Sequence, residues 1–126
     1  MRRFGGTQAG FGMDMIIASR QLMISDEQGD RPVPVFIYAP VDQGDHWRCQ
    51  FDIVWPDRTK TMRAGGFDSA QALYLAMQAI AVNLYASPYH QAGTLRWGKP
   101  GTGYGFPMPR PGIEDLIGED RYHQLP

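Results

Sequence analysis

The groups from which acid, base or metal chemistry would be built in this chain are three histidines, one cysteine and thirteen acidic residues. His46 and Cys49 stand three apart, a spacing that some metal sites use. On a strand, an odd separation sends two side chains to opposite faces, so this pair shares no ion. Cys49 falls on the apolar face of its strand, where a thiol is a small inert core group. His90 and His123 have no ligand-type neighbours and read as loop residues. Ser69 and Ser87 stand at the ends of a predicted helix and suit backbone capping, with no G-x-S-x-G elbow around either. The pairs Glu114–Asp115 and Glu119–Asp120 read as a solvated tail, because adjacent acids without a cavity make no acid–base pair. The stretch W-G-K-P-G-T-G-Y-G-F-P is not a Walker pattern and does not run from a strand into a helix, so it reads as a structural loop. No catalytic residue, metal site or cofactor is expected.

Two constellations suit binding better than catalysis. Arg48, Asp52, Arg58, Lys60 and Arg63 gather on a predicted hairpin, where cross-strand charge pairing is the ordinary explanation and a partner contact the other. Arg96, Trp97, Lys99, Tyr104 and Phe106 mix cationic and aromatic groups in one loop, as recognition surfaces do. Packing of Trp97 and Phe106 on the domain is the competing reading. The expected partner-binding set is therefore Arg48, Arg58, Lys60, Arg63, Arg96, Trp97, Lys99, Tyr104 and Phe106. An alternative ligand pocket would place Gln71, Tyr74, Gln78 and Tyr104 between the Gly-rich loop and the helix.

The elements that position these groups are legible from periodicity. Trp47, Cys49, Phe51, Ile53 and Trp55 alternate with His46, Arg48, Gln50 and Asp52, which predicts a half-buried strand. Pro56-Asp57-Arg58 turns the chain, and 59–64 returns as a more polar strand. Upstream, 15–24 and 33–39 are two further strand-like runs, with Pro32 and Pro34 placing the second at an edge or making its start irregular. Asp68 and Gln71 form a capping-box-like start to a helix that carries no charge through residue 86 and ends at Ser87-Pro88. Leu73, Met77, Ile80 and Leu84 predict its buried stripe. The second stripe, Gln71, Tyr74, Gln78, Ala81 and Tyr85, lacks the Lys and Glu of a solvated face. It calls for cover, by the C-terminal segment of the same chain or by a second copy in a homodimer through the helix. The expected fold is α+β: a four-stranded antiparallel meander, one long helix packed on it, and a Gly/Pro-rich tail folded back. Residues 1–12 read as a flexible lead, 13–110 as one domain and 111–126 as a short helical or frayed tail.

Composition narrows the partners. A net charge of −1, from 12 basic and 13 acidic residues, gives no field that would draw nucleic acid or anionic lipid. A single cysteine fits the reducing cytosol, no apolar run has membrane-spanning length, and Arg2-Arg3 is not followed by the apolar region of an export signal.

The order of the motifs resembles a family of small bacterial proteins known only as a domain of unknown function. H-W-R-C-Q-F-D-I, then G-F-D-S-A-Q-A-L-Y-L-A-M-Q-A-I, then L-R-W-G and G-Y-G-F-P carry that resemblance over residues 14–107. The D-x-x-Q-A-L-x-L-A helix is its most specific part. The chain departs at Tyr104, where the family often has an acidic residue. The resemblance implies no activity. The resulting expectation is a non-catalytic binding or regulatory module of the bacterial cytosol, with an immunity-like protein that binds another protein as one version. The alternative is a small-molecule or nucleotide-binding protein, with hydrolysis as its enzymatic form.

Overall fold

Alternation of apolar and polar residues drives the first half of the chain into strands, and the computed structural model describes residues 15–109, 115 and 117–120. β1 (Ile16–Asp26) and β2 (Gly29–Tyr38) form a long antiparallel hairpin. β3 (Val41–Asp42) is a short piece, and β4 (Trp47–Val54) and β5 (Thr59–Gly66) form a second hairpin. α1 (Ser69–Tyr85), α2 (Pro88–Gln91) and β6 (Leu95–Arg96) follow. The expected meander is present, but the sheet has six strands and not four. The two additional strands are two-residue pieces, too short for any alternation to announce them. β3 pairs with β4 along the line that β2 occupies further on, and β6 joins the outer edge of β1 at Met23 and Ile24.

The prolines of β2 do not place it at an edge: it lies between β1 and β4. Its pairing with β4 covers only Val35–Ile37, however. Along Pro32–Pro34 the strand has β1 on one side and, among the described residues, no strand on the other, so the missing ladder donors cost nothing there.

Leu22, Ile24, Val33, Val35, Cys49, Phe51 and Ile53 build the inner face of the sheet, and all are buried. α1 packs over β4 and β5. Its contact stripe is rotated from the expected one. Ile80 and Leu84 are buried as expected, but Ala72 and Ala76 share the interior with them, and Leu73 and Met77 lie half-buried at the flanks. Small alanines let the helix approach the sheet closely. The approach is tight enough that a Cβ on Gly66 would stand 2.4 Å from the Ala72 nitrogen, so the last residue of β5 has to be glycine.

The helix start follows the D-x-x-Q logic with one shift. The Asp68 carboxylate accepts from the Gln71 amide at 2.8 Å, while Gln71 Oε1 accepts from the Phe67 amide at 2.6 Å, one residue earlier than a standard capping box. At the other end, Ser87 turns from terminator to initiator. Its Oγ accepts from the His90 amide and Pro88 opens α2, so the Ser-Pro pair ends one helix and starts the next.

The inner face that α1 does not reach is closed by the chain's own C-terminal strap. Leu95, Tyr104, Phe106 and Met108 are all part of the core cluster. The strap also meets the second helix stripe at its C-terminal end, where the half-buried Tyr85 packs edge-on against Tyr104. Gln71 and Tyr74, at the N-terminal end of the same stripe, remain exposed.

Ile80 sits fully buried where helix and sheet meet. Truncation to alanine should lower unfolding free energy by about 2–5 kcal/mol in chemical denaturation. Ile80→Asp, which buries an unpaired charge, should leave no cooperative transition. A cooperatively melting Ile80→Asp protein of wild-type stability would show that this contact is not the core.

Candidate functional site

The predicted binding residues do not form one surface. Arg48 and Arg63 lie on the outer face of the sheet, where Gln50 pairs with Arg63 and Arg48 with Gly65. Lys60 pairs with the inward-facing Ile53 and so belongs to the opposite face. Together with Arg58 it borders a small cleft of about 190 Å³, beside the stacked rings of Trp55 and Tyr89. Asp52, on the outer face, accepts from Tyr38 Oη at 2.7 Å and Thr61 Oγ1 at 2.6 Å, so the sheet's own side chains occupy it. Arg96 is spent on Ser25, the Gly98 carbonyl and Asp30. Lys99 is exposed and Trp97 partly so. Tyr104 and Phe106 are corrected outright: both are core residues with no surface to offer a partner. Gln71, Tyr74, Gln78 and Tyr104 do not converge on a pocket either. Gln71 occupies the first turn of α1, and its amide oxygen caps the helix. Tyr104 lies beside Tyr85 and His90 at the far end.

His46 makes its 2.6 Å contact with neighbouring Asp45 in a fully exposed loop, and this contact draws the Asp45 pKa below its ordinary value. Cys49 is buried, its Sγ donating to the Tyr38 carbonyl at 3.3 Å. Desolvation raises its thiol pKa to about 11, far from that of a reactive thiolate. Among the described residues no group of three or more His, Cys, Asp and Glu comes together as a ligand set. No described helix is long and apolar enough to cross a membrane.

The polar centre of the molecule is a residue read from sequence as solvated. Asp120 is 2% exposed. Its carboxylate accepts from the Tyr104 amide at 3.0 Å, the Gly105 amide at 2.8 Å and Tyr85 Oη at 2.8 Å. A Cβ on Gly103 would lie 2.5 Å from the Asp120 carboxyl carbon, and Gly103 has φ +92°, so only glycine lets the strap close on this acid. On the other side of the strap, Arg20 donates to the Tyr104 carbonyl at 3.0 Å. Its guanidinium lies 3.8 Å from the Trp97 ring centre and 4.7 Å from that of Phe106. Partial burial lowers the Arg20 pKa, an effect that Asp120 partly offsets.

Tyr85, His90 and Tyr104 form an aromatic trio next to this acid, with ring centres 4.7 to 5.6 Å apart. Burial, reinforced by the charge of Asp120, pushes the Tyr104 hydroxyl up to about 12. Burial also raises the Tyr85 pKa and lowers that of His90. At neutral pH the phenol is therefore protonated and the imidazole neutral. A 2.6 Å hydrogen bond joins Tyr104 Oη and His90 Nδ1, its direction set by the imidazole tautomer. His90 and Tyr85 then border a groove of about 660 Å³, lined also by Val82, Ala86, Gln91, Met108, Pro109 and Asp115. The groove is mostly apolar, with the His90 imidazole at its border.

The uncharged stripe of α1 leads towards this groove. Phe67 is 89% exposed and Tyr74 52% exposed, and Val82, which borders the groove, is also exposed. Tyr74 and Val82 recur with Gln71 and Gln78 at three- and four-residue spacing and share one side of the helix, while Phe67 lies just before its cap. The sequence pattern singled out Gln71, Tyr74 and Gln78 but neither Phe67 nor Val82.

A family described as a domain of unknown function (DUF6968) matches residues 18–108, nearly the stretch over which the sequence resemblance was read. The chain belongs to the DUF6968 family. No curated protein and no solved structure matches it. The DUF6968 segment holds Arg20, Tyr85, His90 and Tyr104, while the acid that ties them together, Asp120, lies beyond it.

Two outcomes follow from the latch around the DUF6968 strap. Asp120→Ala leaves two amides and a phenol without their acceptor, and it should destabilise the fold by about 1–3 kcal/mol, read from denaturant midpoints. An unchanged midpoint would remove Asp120 from its anchoring role. The second outcome concerns alkaline pH. Cys49 and Tyr104 hold their protons to about 11 and 12 in the folded chain, against ordinary values of 9.0 and 10.0. The unfolded chain therefore releases these protons first. Their contribution is whole below the ordinary values and is lost as pH rises through the folded ones. Thermal melts should stay level to about pH 9 and fall progressively above it, with the Cys49→Ala profile shallower at the start of the decline.

Proposed function

We propose that this chain is a non-catalytic binding module of the bacterial cytosol that docks another protein on the uncharged face of α1. The observation that carries this reading is the exposure of Tyr74 on a helix with no charged residue from Ser69 to Tyr85, and of Phe67 just before its cap. A helix face open to water ordinarily carries Lys and Glu, whereas aromatic anchors amid polar, uncharged neighbours are the composition of interface centres. The satisfied bonds of Asp120 and the slow thiol of Cys49 fit a scaffold better than a catalyst. An immunity-like protein, covering the functional surface of its target, is one concrete form of this role.

The groove supports a second reading, in which the module holds a small molecule. Its volume of about 660 Å³ falls in the usual range for ligand sites, and a mostly apolar lining bordered by the His90 imidazole suits a ligand with an apolar body and one hydrogen-bonding group.

Affinity capture from the native host, with mass spectrometry of both proteins and retained small molecules, separates the two. Wild-type chain should retain a defined protein that Phe67→Ser/Tyr74→Glu loses, while its melting midpoint shifts by no more than about 0.5 kcal/mol because both side chains are exposed. Retention of the same protein by the double variant would overturn the helix-face reading. A co-purifying small molecule lost on His90→Ala would favour the groove instead.

A further inference from the structure

A second apolar patch stands apart from the helix, at the start of β1. Met15, Ile16 and Ile17 are 59%, 49% and 46% exposed. They stand at the start of a strand whose outer edge, among the described residues, is paired only near its far end. β6 pairs with β1 only at Met23 and Ile24, and the Ser25 amide bonds the Thr94 carbonyl just beyond. Among the described residues no strand pairs with that edge over Ile16–Leu22. An open row of backbone donors and acceptors flanked by apolar side chains is a template for another strand.

The two edges of the sheet are defended differently. β5, at the opposite edge, carries Lys60 and Arg63, the kind of charge that discourages strand addition. Met15–Ser19 carries no charge and no proline. Arg20, the one charge within Ile16–Leu22, is turned inward onto the Tyr104 carbonyl and the rings of Trp97 and Phe106. A register shift between Ile16 and Ala18 adds a residue at Ile17, and both isoleucines stay exposed beside it. A bulge can blunt an edge, but this one lies at the strand's first residues, and Ala18–Leu22 continue in regular register with β2.

We propose that a second copy of this chain adds to this edge, β1 against β1, so that the two sheets become one across a twofold axis. A twofold axis perpendicular to the sheet generates antiparallel pairing of a strand with itself. The same axis places every side chain opposite the copy's equivalent segment, so a charged edge would repel itself and an uncharged one does not. The segment Met15–Ser19 meets that condition, and its exposed Met15, Ile16 and Ile17 gain cover from the copy. Strand-edge pairing alone buries less than the roughly 800 Å² per partner of a typical stable interface, so the dimer is weak and reversible. This proposal is independent of the helix-face reading, because the two patches share no residue.

Sedimentation velocity over about 1–200 μM, spanning the range where small interfaces dissociate, tests it. Wild-type chain should pass from monomer to dimer, and Ile17→Lys should raise the dissociation constant at least about tenfold with an unchanged circular-dichroism melt. Phe67→Ser/Tyr74→Glu should dimerise like wild type, which separates this surface from the helix. Hydrogen exchange on the unmodified protein gives a reading that no variant can confuse: amides within 16–20 should gain protection as concentration rises. Wild-type protein that stays monomeric throughout, or a dimer that survives Ile17→Lys and is lost on Tyr74→Glu, would overturn the proposal.

Discussion

The carboxylate of Asp120 binds together parts of the chain that lie far apart in sequence. It takes a hydroxyl from the end of α1 and two amides from the Gly-rich strap, all in a site closed to water. A buried carboxylate is tolerable only when its lone pairs are used, and charge-assisted bonds to backbone amides are among the stronger ways of using them. Arg20 meets the same strap from the sheet side through the Tyr104 carbonyl, and its charge offsets that of the acid. The strap is thus held between one acid and one base, each brought from a different element.

That constraint explains how a sheet with one long helix closes its whole inner face. α1 covers β4 and β5 at short range because Ala72, Ala76 and Gly66 leave no side chain in the way. The β1 side is left to the strap, which buries Leu95, Tyr104, Phe106 and Met108 without regular structure of its own beyond a two-residue strand. Irregular backbone in such a position needs partners for its polar groups. Asp120 and Arg20 supply several of them, and glycines at 103 and 105 allow the close approach of Asp120, Trp97 and Arg20.

Much of the fold was legible because its signals are local. The alternation of 47–55, the Asp68 cap and the Ser87-Pro88 break each depend on neighbours within a few positions, and each appears where the sequence puts it. The strap was not legible in the same way. Tyr104 and Phe106 look like recognition residues until Arg20, 84 positions before Tyr104, is placed between the Trp97 and Phe106 rings. Asp120 looks solvated beside Glu119 because nothing in its vicinity announces the amides 15 and 16 positions away. The prolines of β2 misled for a similar reason: whether a strand is at an edge depends on where its neighbour stops, and β4 stops short of them. Of the candidate surface, the uncharged helix stripe was readable, whereas the open edge of β1 required knowing that β6 covers only Met23 and Ile24.

The side chains left outside the fold carry the clearest functional information. A hydrophobic residue just before a helix cap commonly packs against the residue five positions on, fixing the angle at which the chain enters. Here that position is Ala72, which is buried against the sheet, and Phe67 is left 89% exposed. The entry angle is set instead by the Gln71 bond to the Phe67 amide and by the contact of Gly66 with Ala72. Neither device uses the phenyl ring. Among the described residues the Phe67 ring belongs neither to the core nor to the cap, and Tyr74, one turn into the helix, is 52% exposed. Folding accounts for the absence of charge on the inner side of α1, where Ile80 and Leu84 lie, but not on the outer side, where water would favour charged residues. The uncharged outer face is therefore the feature of α1 that packing among the described residues does not require.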